Sequence, residues 1–342
     1  MDRYLSMCRR LSSQLLSLLM VALPASYAQE LQPGPPLSPP GSTDLLKFNW
    51  QASTFFDDPQ MVAAFAAVRK CSLAELQALQ AADINWNQQG RHGMTILLLA
   101  FLSEDFRIYS QLLEWGADPN LELQLTDDYP IPGDFSFATI ISNGDSVMHL
   151  ATVFPRTREW FSTTLAFGGD PQWVHPSEKN TILQSYISRP TNLAPSNVNV
   201  QLLITMGSNL NNRNSDGETA AHLAATSGNF EVAAMLLKAG ASADCYDLQD
   251  QQLIHHVAIA HRSRQQLFAS APAARENWKQ SPLRPGWEEL LQLLQERGYS
   301  LERALQDLDR SDELVDGRPY LKWRKLQRAA QDSCKPTTAA AP

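Results

Sequence analysis

The 342-residue sequence is short of cysteine, of charge and of long apolar runs. Four cysteines are too few to build a disulfide scaffold of this size. Charged residues make up 19%, with 36 acidic against 28 basic side chains, a formal charge of −8. An acidic chain is badly placed to neutralise phosphates, which argues against nucleic acid. It gains nothing from an anionic bilayer either. Beyond the first thirty residues no apolar run approaches the roughly 18 residues that span a membrane.

Catalytic spacing is equally scarce. No two glycines stand at i and i+2, which excludes a G-x-G-x-x-G dinucleotide loop, and no glycine precedes a lysine, which excludes a P-loop. C-x-x-C, H-E-x-x-H and S-x-x-K do not occur. Gly144-Asp145-Ser146 begins like a nucleophile elbow, but Met148 stands where glycine is needed. His255, His256 and His261 are the one histidine cluster, and positions 256 and 261 do not share a helix face well. The expectation is a non-enzyme with no catalytic residue, no cofactor and no metal ligand.

What is present begins with an address. Arg3, Arg9 and Arg10 precede a mostly apolar stretch over residues 11–23, followed by Pro24-Ala25-Ser26-Tyr27-Ala28. Residues 1–28 thus read as a cleavable secretory signal cut after Ala28, with the mature chain in the periplasm and no stable membrane insertion. Cleavage removes three arginines and one aspartate and takes the charge from −8 to −10. It leaves Cys71, Cys245 and Cys334, an odd number whose pairing cannot be deduced from spacing. Residues 29–44 form a linker with five prolines, which favour extended chain over packed helix. Residues 333–342 read as a disordered tail.

The middle is periodic. Within residues 216–244, Asp216-Gly217 is a turn dipeptide, Thr219 is placed to cap a helix, and Gly228 can end it. A second helix follows over about 230–238, with apolar Val232, Ala233, Leu236 and Leu237 at helical spacing, and Gly240 ends it. Positions equivalent to Thr219 recur at 95, 146, 181 and 252, in steps of 51, 35, 38 and 33. The step of 51 implies an insertion within 121–143, and a second insertion falls at about 263–285. Residues 61–79 read as a degenerate first helix pair and 301–332 as a helical cap.

This pattern resembles the ankyrin repeat, with its Gly-x-Thr-Pro-Leu-His-x-Ala signature and period of about 33. Gly217, Thr219, His222 and Ala224 match it, while Ala220 and Ala221 replace Pro and Leu. The resemblance implies an all-α ankyrin-repeat solenoid over residues 45–300, with five to six repeats. It assigns His149, His222 and His255 a structural role within the turn.

In such an array the turn fingers and the concave face are free to suit a partner. Residue types that dominate interfaces single out Trp86, Arg91, His92, Asp127, Asp128, Tyr129, Trp173, His175, Arg213, Asp216, Tyr246 and Asp247 as partner-binding candidates. Exported ankyrin-repeat proteins of Gram-negative bacteria include immunity proteins against type VI secretion effectors, phospholipases among them. The resemblance therefore implies another protein as partner, a secreted toxin enzyme blocked at its active site. The alternative is a periplasmic scaffold or protective partner of a stress-defence enzyme.

Overall fold

The computed structural model describes residues 50–124, 143–153, 158–188, 197–271, 273, 277 and 283–328. The signal, linker and tail expected from the sequence lie outside them. So do Asp127, Asp128 and Tyr129.

The described chain is helical, as expected, and its helices come in pairs. It divides into two compact units, one ending at Asp170 and one starting at Pro171. The first unit contains α1 (Ala52–Phe55), then α2 (Pro59–Arg69) with α3 (Leu73–Ala81), α4 (Ile96–Leu102) with α5 (Phe106–Glu114), and α6 (Val147–Val153) with α7 (Arg158–Ala166). Short polar residues start these helices. Asp58 accepts from the Gln60 amide ahead of Pro59, Ser72 from Glu75, and Thr95 from Leu98. All seven residues of α4 are buried, so that helix runs through the middle of a core. Trp160 of α7 packs 4.5 Å from the Tyr109 ring and edge-on to Phe101 at 5.4 Å. Full burial of each such side chain contributes about 1.5–3 kcal/mol.

The second unit contains α8 (Ile182–Ser188) with α9 (Asn197–Thr205), α10 (Ala220–Thr226) with α11 (Phe230–Lys238), and α12 (Leu253–Ser270) with α13 (Leu283–Glu296). A cap of α14 (Leu301–Asp309), the hairpin β1 (Leu314–Val315) and β2 (Arg318–Pro319), and α15 (Tyr320–Arg328) follows. The strands are antiparallel, with Leu314 opposite Pro319. Asp316-Gly317, both at positive φ, form the two-residue turn, a hairpin signal that the reading of residues 301–332 as a helical cap passed over. Small residues set the spacing: a Cβ on Gly286 would stand 2.7 Å from the Glu231 nitrogen, so α11 and α13 meet backbone to backbone. Phe230 fills the adjacent space edge-on to Trp287.

The structure refines the sequence pattern at two points. The first residues of the second insertion, 263–270, continue α12 as helix to Ser270. The cysteine pairing resolves partly: Cys71 is a free thiol, while Cys245 is fully buried and disulfide-bonded, so the two do not pair.

Candidate functional site

In the second unit each finger is a tight turn with a polar residue at its base. The pattern repeats three times. The Asn214 amide donates to the Glu218 carbonyl, and its Oδ1 accepts from the amides of Asp216 and Glu218. The Asp247 amide donates to the Gln251 carbonyl, and its Oδ1 accepts from Gln249 and Gln251, both at 2.8 Å. The His175 amide donates to the Asn180 carbonyl, and its Nδ1 accepts from the amides of Ser177 and Glu178. A side-chain acceptor inside the turn satisfies part-buried amides that would otherwise lack a partner within the protein. The three residues differ in chemistry but perform one task.

Helix starts follow the same economy. Thr219 Oγ1 accepts from the His222 amide, and His222 Nδ1 accepts in return from the Thr219 amide at 3.0 Å. Gln252 and His255 repeat that reciprocal bond. At Thr181 the returning acceptor is Gln184 Oε1. The structural role expected of His222 and His255 holds. His149 also bonds within its turn, but its Nδ1 meets the Asp145 carboxylate instead of a backbone amide. Burial drives the His222 pKa down to about 3.

Successive repeats are laced by one side-chain amide each. Asn87 donates to the Gly116 carbonyl and accepts from the Asp118 amide. Asn120 donates to the Gly168 carbonyl and accepts from the Asp170 amide. In the second unit Gln172 donates to the Met206 carbonyl and Asn211 accepts from the Ser242 amide. The finger tips there are also tied backbone to backbone. Ser215 donates to the Glu178 carbonyl and Leu248 to the Asp216 carbonyl. The latter contact needs Gly217, at φ +77°, because a Cβ would lie 2.9 Å from the Leu248 nitrogen.

This framework reassigns several sequence candidates. Trp86 is buried, stacked on Trp115, and its indole N–H donates to Gln80. Trp173 is buried edge-on to His175, which is itself fully buried. Asp247 is 2% exposed and turns its second oxygen to His256 Nε2 at 2.8 Å. Burial raises its pKa, but the bonds from His256 and Gln251 outweigh that, and the result lies below the usual carboxylate value. Tyr246 is buried under the Lys325 ammonium, which pairs with Asp250 at 2.7 Å. None of these five can meet a partner from where it stands. Aromatic and charged types in a finger suggest contacts on sequence grounds, but the turns use them as internal struts.

Arg91, His92, Arg213 and Asp216 remain candidates. Arg91 pairs with both oxygens of Asp57 and donates to the Ser53 and Thr54 carbonyls, yet its side chain stays half exposed. His92, in the left-handed region at φ 61°, sits edge-on to Phe55. Arg213 and Asp216 are exposed. Sequence reasoning missed Leu248, which is 63% exposed at the last finger tip, and exposed Glu178. The signal for Leu248 is an apolar residue within a polar turn. In the first unit, the flanks of the 121–143 insertion pair across the second finger. Leu123 donates to the Asp145 carbonyl at 2.7 Å, and Gly144 donates to Leu123 at 2.9 Å.

The family profile described as ankyrin repeats, three copies, matches residues 163–267. No curated protein matches the chain. Among solved structures, an ankyrin repeat domain of Acinetobacter baumannii AYE aligns at 20% identity and a TM-score of 0.49, covering 69% of this chain and 98% of that one. A chain from the complex of the Bdellovibrio bacteriovorus predatory endopeptidase Bd0816 with immunity protein Bd3460 aligns at 19% identity and a TM-score of 0.43, covering 59% and 93%. The profile match falls on the segment whose turns, caps and glycines repeat most regularly, and residues 163–267 carry ankyrin repeats.

Proposed function

We infer that the protein is a periplasmic binding protein without catalytic activity, and that it inhibits a secreted antibacterial toxin enzyme by covering its active-site mouth. Ankyrin repeats mediate protein–protein binding. The observation that carries the finer reading is the finger rim of the second unit. Its tips are fixed to one another by backbone bonds, yet they expose Glu178, Arg213, Asp216 and Leu248. A rim ordered before binding loses little conformational entropy on docking. It presents an apolar tip among charges, the mixture expected where a contact centre has a polar edge. The formal charge of −8, which becomes −10 after signal cleavage, would steer a basic enzyme surface toward it. Residues 1–28 supply the export signal that places the chain where such a toxin acts.

The test is capture of the tagged, exported protein with whatever it binds in native periplasm. A stoichiometric hydrolase whose activity falls as purified protein is added supports the reading. A bound enzyme that stays fully active would overturn inhibition and leave the scaffold function in its place.

A further inference from the structure

The lacing amide changes at the last repeat. Asn87, Asn120, Gln172 and Asn211 each place an amide beside the next turn. Asp244 occupies the equivalent position of the final repeat, and a carboxylate cannot donate to the Gly298 carbonyl. It accepts the Tyr299 hydroxyl instead. No further finger follows, because α14 begins at Leu301, directly after Ser300. A cleft of about 550 Å³ lies at that step, walled by the base of the last finger, the start of α12 and the cap.

Three guanidinium groups line it, those of Arg297, Arg303 and Arg324. Arg324 is matched by the buried Asp307 carboxylate. Arg297 donates to the Leu237 and Ala241 carbonyls at the end of α11, which satisfies N–H groups but leaves its charge uncompensated. Arg303 is exposed on the first turn of α14 and makes no ion pair among the described residues. The cleft therefore carries one more cation than its two carboxylates balance, and the α14 N-terminus adds to that sign. It does so in a chain with a net charge of −8.

We propose that this cleft is a binding site for a carboxylate group, held by Arg303 with Arg297 and the Ser300 hydroxyl. The inference goes beyond the protein-binding reading and does not depend on it. A planar carboxylate matches the guanidinium fork, and its single charge suits the single surplus cation. A phosphate dianion would face Asp244 with only one such cation in its favour. The carboxylate can belong to a small free acid or to an acidic side chain of a docked protein, and the chemistry of capture is the same.

Titration of the purified chain with succinate at constant ionic strength, followed by NMR of the arginine side chains and by thermal unfolding, tests this. Saturable shifts at Arg297 and Arg303 are expected, with succinamide inert. Arg303→Gln should weaken the response at least tenfold while leaving the melting temperature without ligand unchanged. Arg318→Gln, on the hairpin, should behave as wild type. If succinate then binds and the captured partner protein blocks it, the site serves the partner. If both bind together, it serves a free acid. Equal titrations for Arg303→Gln and wild type would overturn the proposal, as would tighter binding of inorganic phosphate at the same arginines.

Discussion

His222 Nδ1 accepts the Thr219 amide at 3.0 Å, which fixes the imidazole proton on Nε2. That nitrogen is buried, without a hydrogen-bond partner among the described residues, against the His256 ring 4.7 Å away. A second proton has no place to go without breaking the helix start. Burial accordingly holds the pKa near 3, against 6.5 for a free histidine. The folded-state value is lowered, so protonation favours unfolding. The contribution to stability is complete above about pH 6.5 and is lost as pH falls from there toward 3, at about 1.4 kcal/mol per pH unit. Asp247, also lowered, acts in the same direction at the acid end. Gln184 makes the equivalent bond at Thr181 without titrating in this range. His222→Gln should therefore flatten the pH dependence of urea unfolding between pH 6.5 and 4. An unchanged slope would show that His222 is not its source.

Asn120 bonds the Gly168 carbonyl at 2.8 Å and the Asp170 amide at 2.7 Å, so one side chain pairs two backbone groups of the next turn. Asn120→Asp keeps the shape and the acceptor but removes the donor. It also brings a second carboxylate beside Asp118, whose Oδ1 now accepts from Asn120 Nδ2. The expected loss is about 1–3 kcal/mol in chemical denaturation. A change below about 0.5 kcal/mol would mean that water replaces the bond at no cost.

The two cysteines with known states predict a labelling order. Cys71 is a free, half-buried thiol whose pKa is raised, first by burial and then by the Asp105 carboxylate. Its alkylation in the native protein should be slow at neutral pH and quicken as pH rises, since the thiolate reacts. Cys245 should label after denaturation with reductant and not after denaturation alone. Label on Cys245 without reductant, read by peptide mass mapping, would contradict the bond.

The periodic elements were legible in the sequence because their determinants are local. Thr219, Gly228 and Gly240 mark the start and ends of α10 and α11 through cap and left-handed geometry, at φ 76° and 99° for the two glycines. The surface was far less legible. His175, Asn214 and Asp247 have unlike side chains and one role, which is visible only when the amides they accept from are seen. Whether Tyr246 faces a partner depends on Lys325, nearly eighty residues later. The extension of α12 to Ser270 depends in part on Trp287, against which His261 stacks and over which Arg264 lies at 3.8 Å. Long-range covers of this kind leave no periodic mark.

Leu248 and Asp247 are neighbours with opposite duties, and that separates binding from folding. The Leu248 backbone amide holds the Asp216 carbonyl at 2.9 Å while its side chain lies open to solvent. Leu248→Ser keeps the backbone bond, so stability should move by no more than about 0.5 kcal/mol. If the rim is the docking surface, partner capture should fall at least tenfold, since an apolar anchor among charges is the kind of residue that dominates an interface. Asp247→Ala removes the acceptor of two turn amides and the partner of His256. It should cost about 2–4 kcal/mol in unfolding, because the buried His256 ring and two part-buried turn amides lose their shared partner. It should weaken capture only through that loss, so that affinity recovers at low temperature where the finger is formed. The reverse pattern, with capture indifferent to Leu248 in a folded protein, would move the docking surface off this rim.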